Sequence, residues 1–209
     1  ACDHPYFPMR VGSTWVYKGA SAETSFTSTM SVTSVSGDAE SAQADMTMTI
    51  GDVVITYHWT CTRTGGLQSL DYALSGIAGA TGGSTEVTGD GVFLPPVDQL
   101  VTNATWTYSS NGTMTMEAGG ASLSGSATNT AKNTVAGFVA SVDIAGGAVN
   151  DVMSVLSEQT TKVSFGGVDT PAVATRTTLE FAKGIGLISA ASAGDAGYSS
   201  MELISYTIP

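Results

Sequence analysis

The chain has 209 residues, with 7 Lys or Arg against 18 Asp or Glu, and therefore carries a formal net charge of −11. A chain this acidic does not neutralise a phosphate backbone, which excludes nucleic acid as an expected partner. Hydrophobic residues make up 42% of the sequence, which is enough for a sizeable core and too many for intrinsic disorder. No apolar run reaches the length of a membrane-spanning helix.

Small hydroxyl residues dominate the polar part of the composition. The chain holds 29 Thr and 25 Ser, whereas only 12% of its residues are charged, about half of the usual share in a soluble domain. Strands with few Lys lack the charges that keep exposed sheet edges apart. The composition therefore predicts strands whose outer faces carry hydroxyl groups and whose edges are open to association.

The first residues indicate an exported protein. The chain begins Ala1-Cys2-Asp3, which is what remains after a signal peptide has been removed. We therefore expect the protein outside the cell or at the cell surface. Cleavage of a lipoprotein signal would leave the cysteine first, so Ala1 before Cys2 predicts a chain without a lipid anchor.

Two cysteines, Cys2 and Cys61, predict one disulfide bond, because an even number of cysteines in an exported chain usually pairs. Both lie near a histidine, in Cys2-x-His4 and His58-x-x-Cys61, so a metal site of two Cys and two His is an alternative. In an extended segment His58 and Cys61 point to opposite faces, which weakens this alternative. Two unrelated thiols are the third interpretation.

Alternation of apolar and hydroxyl-bearing residues is the main pattern along the chain, and it predicts half-buried strands. It begins at Ser25–Val35 and recurs at Met46–Ile50, Asp52–Cys61, Trp106–Tyr108, Met114–Met116, Leu179–Phe181 and Leu203–Ile208. Turn signals of Gly, Asn and Asp separate these runs, for example at Gly51-Asp52, Gly89–Gly91 and Gly166-Gly167. This spacing is typical of an all-β meander, sandwich or barrel.

Three segments depart from the alternation. Gly147–Glu158 places apolar residues at helical spacing after Asn150 as an N-cap, so a short helix is predicted there as readily as a strand. Leu67–Leu74 fits either element. Ala78–Ser84 is rich in Gly and Ala and is predicted to be a loop.

An internal echo divides the chain. Thr14-Trp15-Val16-Tyr17 recurs as Thr105-Trp106-Thr107-Tyr108, and Met-Thr-Met follows each copy. The echo predicts two related β-rich halves, residues 1–90 and 91–209, which form two domains or one continuous domain. We expect an antiparallel β-sandwich or curved meander with at most one short helix.

Two groups of side chains are candidates for binding. Paired thioethers at Met46, Met48, Met114 and Met116 could coordinate Cu(I), although Met more often fills a core. The aromatic set Trp15, Tyr17, Trp106 and Tyr108 could form a surface for sugars, although such residues more often anchor a core. The favoured interpretation of both groups is core packing, with no metal and no cofactor.

Short motifs resemble those of a known class of proteins. Tyr6–Tyr17, with its Pro, Gly and Trp-x-Tyr, resembles the mature start of many uncharacterised bacterial exported proteins and lipoproteins. Phe181–Ile188 resembles their closing strand turn, and Met201–Tyr206 resembles their last strand. The resemblance implies a β-rich protein of the bacterial envelope. It implies no catalytic residues, because that class has no assigned chemistry.

The sequence lacks the combinations that catalysis requires. A Ser or Cys nucleophile needs a nearby base, and the chain offers only His4 and His58, both beside cysteines. There is no Gly-x-Ser-x-Gly elbow, and the acids are spread singly, mostly in turns where they cap backbone N–H groups. We therefore predict that the protein is not an enzyme.

Two functions remain. The first is a structural subunit that associates with copies of itself in a filament or surface layer, using the extended segment Asp3, His4, Pro5, Tyr6, Phe7 and Pro8 as an added strand. The second is a monomeric envelope module that binds a lipid, a peptide or a glycan, with a cell-surface glycan as a candidate partner. The size of the native protein separates the two, and the low charge of the strands favours the first.

Overall fold

The computed structural model describes residues 1–21, 24–63, 66–69, 84–118, 121–195 and 197–209, with the backbone alone at 84–86, 114–118 and 121–123. Within these residues the chain is almost entirely β-structure, with a single three-residue 3₁₀ turn at Val97–Gln99. The strands are β1 (Asp3–His4), β2 (Phe7–Pro8), β3 (Thr14–Ser21), β4 (Ser25–Gly37), β5 (Ser41–Ile50), β6 (Val53–Thr62), β7 (Leu67–Ser69), β8 (Ser84–Gly91), β9 (Thr105–Ala118), β10 (Ala121–Ile144), β11 (Gly147–Phe165), β12 (Val168–Asp169), β13 (Val173–Ala182), β14 (Gly186–Gly194) and β15 (Gly197–Thr207).

One large antiparallel sheet contains all of these strands except the short hairpin β1–β2. Its order is β7-β6-β5-β4-β3-β15-β14-β13-β11-β10-β9-β8, and β12 pairs with β11 at the side. Neighbours in the sheet are therefore neighbours in the chain, apart from the pairing of β3 with β15 and the pairing of β11 with β13 across the short β12. The pairing of β3 with β15 joins the strands from the two ends of the chain, with Leu203 opposite Tyr17.

The two outer strands of this order approach each other. The Leu67 N–H of β7 donates to the Leu94 carbonyl at 2.9 Å, and the Phe93 N–H donates to the Leu67 carbonyl at 2.8 Å. These bonds follow directly after β8, so the sheet curls into a nearly closed barrel. The predicted all-β class is confirmed. Of the two predicted architectures the curved meander comes nearer than the sandwich, because one sheet that nearly pairs its own edges needs no second layer.

Sequence alternation decides which face of each strand points inward. In β3, Trp15 and Tyr17 are buried, Val16 between them is half-buried, and Lys18 after them is exposed. The segment Gly147–Glu158, whose spacing allowed a helix or a strand, is a strand, since it lies entirely within β11. The reason is pairing, because β11 is hydrogen-bonded along its length to β10 on one side and β13 on the other. The described residues contain no helix with the length and apolarity that crossing a membrane requires.

The repeated Trp-x-Tyr motifs occupy opposite walls of the barrel. The first lies in β3 and the second at the start of β9, six positions apart in an order of twelve strands. Both halves of the chain contribute to the same sheet, and their division at residue 90 stays a prediction. The expected strand or helix at Leu67–Leu74 is a strand over Leu67–Ser69. Its remainder and the predicted loop at 78–83 lie outside the described residues.

Candidate ligand-binding lumen

The N-terminal residues Cys2–Met9, here called the plug, fill one end of the barrel. The ring of Phe7 stacks on Trp15 of β3 at 5.7 Å and also contacts Trp59 of β6 at 5.5 Å. On the other side it meets Phe181 of β13 edge-on at 6.5 Å. Because these strands lie on different walls, the ring must sit inside the barrel and close it.

Covalent and backbone bonds fix the plug in place. Cys2 and Cys61 form a disulfide bond, which confirms the prediction and ties the plug to β6. The Gly184 N–H in the turn between β13 and β14 donates to the Pro5 carbonyl at 2.7 Å. A loop of 59 residues closed by a disulfide contributes about 4 kcal/mol in the chain-entropy model.

His4 has a structural role within the plug. The Tyr6 N–H donates to Nδ1 of His4 at 3.0 Å, so the ring proton lies on Nε2, which is 3.0 Å from the Pro95 carbonyl oxygen. This neutral ring satisfies one group on each side. Burial lowers the pKa of His4, because the desolvated imidazolium is disfavoured more than the Pro95 carbonyl stabilises it.

Among the described residues, the cysteines and histidines do not come together as a metal site. His58 lies exposed on the outer face of the barrel, where it bonds the Asp45 carboxylate at 2.7 Å, whereas the disulfide-bonded Cys61 is fully buried. Among the described residues, no three His, Cys, Asp or Glu side chains form a group that could hold a metal ion. Met46 is fully buried in the core, and Met48 packs against it opposite Met30. The side chains of Met114 and Met116 lie outside the described part of the chain.

The candidate aromatic surface is part of the interior. Trp15 and Tyr17 are fully buried. Trp15 Nε1 donates to the Ile185 carbonyl in the turn after β13 at 2.6 Å, and the Tyr17 hydroxyl donates to the Leu187 carbonyl at the start of β14 at 2.8 Å. Trp106 Nε1 donates similarly to the Phe93 carbonyl at 3.1 Å. These residues therefore do not form the external sugar-binding surface that the sequence suggested. Tyr108 lines an open cavity.

That cavity lies beyond the plug, within the barrel, and is here called the lumen pocket. It has a volume of about 290 Å³. Phe93 lies between the lumen pocket and the plug, and its ring centroid is 6.4 Å from that of Phe7 and 6.2 Å from that of Tyr108. Its apolar wall consists of Phe26, Phe93, Leu179, Leu187 and Met201, and its polar wall includes Gln159, Thr175, Thr177, Ser192 and Ser199.

The pocket has two walls because the inward-facing residues change from apolar to polar at the same level of five neighbouring strands. One set of direct cross-strand partners, the apolar row, runs across β10, β11, β13, β14 and β15 as Val135, Val155, Leu179, Ala190 and Met201. Two residues further from the plug, the polar row crosses the same five strands as Asn133, Ser157, Thr177, Ser192 and Ser199. The interior therefore changes from apolar to polar within one repeat of each strand, about 7 Å.

Buried amides and hydroxyls continue on the same inner face. Asn129 lies opposite both Ser110 and Thr161, and the Thr161 hydroxyl donates to its Oδ1 at 3.0 Å. Nδ2 of Asn129, Nδ2 of Asn133 and Oγ of Ser110 are buried without a hydrogen-bond partner among the described residues. Burial raises the pKa of Tyr108 to about 12, and the nearby Asn129 amide opposes that rise, although the two make no hydrogen bond of good geometry.

Sequence reasoning missed these polar residues, although a signal was present. Asn129 and Asn133 share the strand phase of Ala127, Ala131 and Val135, all of which are buried. A polar residue in an apolar phase is an inward-facing polar residue if the segment is a strand. Residues 127–135 contain no Gly or Pro that would place the two asparagines in a turn.

No cation faces the lumen. All seven Lys and Arg side chains are exposed, and three of them pair with acids on the outer surface, as Arg10–Asp3, Arg63–Glu40 and Arg176–Glu158. A second cavity of about 540 Å³ lies on the outer face and holds the charged residues Lys18, Asp143, Glu180 and Glu202. The Glu202 carboxylate there accepts the Ala145 N–H at 2.9 Å and so fixes the tip of the β10–β11 hairpin.

Two solved structures share this fold. No protein family and no curated protein matches the sequence. A protein of Bacteroides fragilis, named as an exported protein with a YmcC-like fold, superposes with a TM-score of 0.66 at 12% identity and covers 98% of this chain and 100% of its own. A protein of Parabacteroides distasonis, named as a lipoprotein, superposes with a TM-score of 0.60 at 15% identity and covers 98% and 99%. At these identities the likeness establishes a shared fold.

Proposed function

We propose that the protein is a non-enzymatic, monomeric binding module of the bacterial envelope whose lumen pocket holds a small amphipathic molecule of the lipid class. The observation that carries the proposal is the division of this pocket into an apolar wall next to the plug and a polar wall further out. A ligand with a short hydrocarbon part and an oxygen-bearing part fits both walls. The volume of about 290 Å³ lies near the lower end of pockets for small ligands.

The apolar wall favours a lipid over a glycan. Leu179, Leu187 and Met201 offer aliphatic and thioether contacts beside the rings of Phe26 and Phe93, and a hydrocarbon chain fills such a wall better than a hydroxyl-covered sugar ring. Burying hydrocarbon against such a wall contributes about 25 cal/mol for each Å² removed from water. A peptide backbone would need regularly spaced donors and acceptors, and the inward face of a closed sheet has none free, since strand pairing uses them.

An envelope location agrees with three features. The disulfide bond belongs to oxidising compartments. The two structures with the same fold are named as an exported protein and a lipoprotein. The motifs at Tyr6–Tyr17 and Phe181–Ile188 contact each other in the fold through Trp15 and Tyr17, so the residues that carry the sequence resemblance also carry structure.

Self-association through an added strand finds less support in this geometry. Four of the six residues in the expected assembly segment, His4, Tyr6, Phe7 and Pro8, are buried in the chain's own barrel. Donating them to a neighbour would open the apolar end of the lumen and strain the connection to Cys61. Self-association stays a prediction, and its test is given in the Discussion.

A matched pair of substitutions tests the binding function. Thr177→Trp places an indole in the lumen pocket, whereas Thr178→Trp places the same group on the outer face, where Thr178 is exposed. The uncharged dye N-phenyl-1-naphthylamine is titrated into each variant and the native protein, then displaced with monolauroylglycerol, a tripeptide or a trisaccharide. We expect binding and displacement by the lipid in the native protein and in T178W, and a loss of at least about tenfold in T177W.

The same titration contains the contrary outcomes. Displacement by the peptide or the sugar alone would replace the lipid class by another. Equal dye binding in T177W and T178W, with both variants folded by circular dichroism, would place binding outside the lumen and overturn the proposal. If T177W does not fold, Thr175→Trp, nearer the end of the same wall, takes its place.

A further inference from the structure

We propose that the ligand of the lumen pocket has an uncharged head group rich in hydrogen-bond acceptors, and that Asn133, together with Asn129 and Ser110, holds it. The inference rests on the proposed function and specifies its ligand. It is carried by the polar row, by three unpartnered buried donors on the same face, and by the absence of cations from that face.

The register brings these donors to the edge of the pocket. Asn133 is the direct neighbour of Ser157, which is the neighbour of the pocket residue Thr177. Ala131, between Asn129 and Asn133 in the strand phase, lies opposite Tyr108 on one side and Gln159 on the other, and both of these line the pocket. Asn129 and Asn133 therefore lie one strand repeat to either side of Ala131, next to the pocket residues Tyr108 and Gln159.

A count of donors and acceptors shows what is missing. The Asn129 carbonyl already accepts from Thr161, Ser157 accepts from Gln159 Nε2 at 3.3 Å, and Thr177 and Ser192 bond each other at 2.9 Å. The groups on this face that are buried without a partner among the described residues are the amide nitrogens of Asn129 and Asn133, which only donate, and the Ser110 hydroxyl. A ligand that completes this set must supply acceptor oxygens.

The charge distribution decides between neutral and anionic head groups. All seven Lys and Arg side chains lie on the outside, so a carboxylate or phosphate in the lumen would lose its hydration without gaining a counter-ion. Ester and amide carbonyls and alcohol oxygens accept the same bonds without that cost. The chemical class is therefore an acyl chain on a neutral, oxygen-rich head, such as a glycerol ester.

A contribution to fold stability does not explain why Asn129 and Asn133 stand at these buried positions. Their nearest neighbours in the same strand phase, Ala131 and Val135, are fully buried apolar residues, so the site accommodates apolar side chains. A buried donor without an acceptor destabilises a fold, and an apolar side chain of similar shape removes that penalty. Replacing Asn133 by Leu should therefore stabilise the empty protein while weakening ligand binding, which is the opposite of what a structural residue would show.

The test compares two ligands with the same chain in the same protein. Monolauroylglycerol and laurate are titrated at pH 8, where laurate is anionic, into the native protein, Asn133→Leu and the control Asn111→Leu, whose side chain is exposed on the outer face of β9. We expect monolauroylglycerol to bind at least about tenfold more tightly than laurate. N133L should lose about threefold to tenfold of that affinity, the worth of one neutral hydrogen bond, and N111L should lose none. The melting temperature of N133L should rise by about 2–4 °C.

Each contrary result has a distinct meaning. If laurate binds as tightly as monolauroylglycerol, or if N133L keeps the native affinity, the head-group assignment is wrong while the lipid-binding function stands. If neither lipid binds the native protein, the proposed function itself fails. If N133L does not fold, Asn133→Ala and Asn129→Leu replace it, and native affinity in both would equally overturn the assignment.

Discussion

The ring of Phe7 lies parallel to the indole of Trp15, with centroids 5.7 Å apart and an interplanar angle of 15°. One residue comes from the plug and the other from β3, so this stack joins the N-terminal segment to the barrel wall. The indole of Trp15 is held in turn by the Ile185 carbonyl at 2.6 Å. The closed end of the lumen is thus one connected unit that joins the N-terminal residues to the turn between β13 and β14.

Removing the ring should weaken the whole barrel. Phe7 is 2% exposed, and deletion of a buried aromatic side chain costs about 3–5 kcal/mol through lost burial and a residual cavity. We expect F7A to lower the free energy of unfolding by that amount in urea denaturation. Val11→Ala is the control, because Val11 is 56% exposed and its loss should change stability little. Similar stability of F7A and V11A would show that the plug does not close the barrel.

Loss of the disulfide bond should have an effect of comparable size. Reduction, or Cys2→Ala with Cys61→Ala, should lower the free energy of unfolding by about 4 kcal/mol, because the unfolded chain regains the entropy of a long loop. Alkylation without a reductant should leave the mass unchanged, and alkylation after reduction should add two groups. Labelling of both thiols in the untreated protein would refute the bond in solution.

His4 should make stability depend on pH. The unfolded chain takes up a proton near pH 6.5, whereas burial lowers the pKa of His4 in the folded chain, so stability is complete above pH 6.5 and falls as the pH drops toward the folded value. The slope is at most about 1.4 kcal/mol per pH unit. Urea midpoints between pH 7.5 and 5.0 measure it.

Two variants assign that pH dependence. His4→Gln cannot take up the proton and should flatten the curve between pH 6.5 and 5.0. Val54→Ala, which alters an exposed residue without a titratable group, should leave the slope as it is. A native curve that is flat in this window, or a slope that survives H4Q, would contradict the role given to His4.

Sedimentation separates a binding module from a self-assembling subunit. The proposed function predicts a single species at the chain mass of 21.2 kDa across a wide concentration range. Deleting residues 1–10 should destabilise the barrel, because it removes the buried plug and the disulfide bond. Regular polymers of the native protein that disappear on this deletion, with the β-structure intact, would favour assembly by strand addition.

Local pattern was enough to predict the class of the fold and its covalent bond. The alternation at Asp52–Cys61 corresponds to β6, and the pairing of two cysteines in an exported chain predicted the bond between plug and wall. Closure could not be predicted, because it depends on hydrogen bonds between Leu67 and Leu94, which lie on either side of a segment without strong alternation. At Gly147–Glu158 the spacing of apolar residues left helix and strand equally open, and pairing with strands on both sides outweighed the local helical preference.

The site was harder to predict than the fold. Tyr17 and Tyr108 hold the same place in the repeated motif, yet Tyr17 is fully buried and bonded to Leu187, whereas Tyr108 lines the pocket. Asn129 and Asn133 could have been identified by their strand phase. Their meaning depends on the cross-strand register, which sequence alternation does not provide.

The most direct test is the position of a bound acyl chain. A monoacylglycerol with a nitroxide on its chain is added to protein with labelled methyl groups, and paramagnetic broadening is recorded by NMR. The proposed function predicts broadening at Leu179, Leu187 and Met201 of the apolar wall, with sharp signals at the exposed Val54 and Val168. Unbroadened signals at the three lumen residues, or broadening confined to the outer valines, would contradict ligand binding within the barrel.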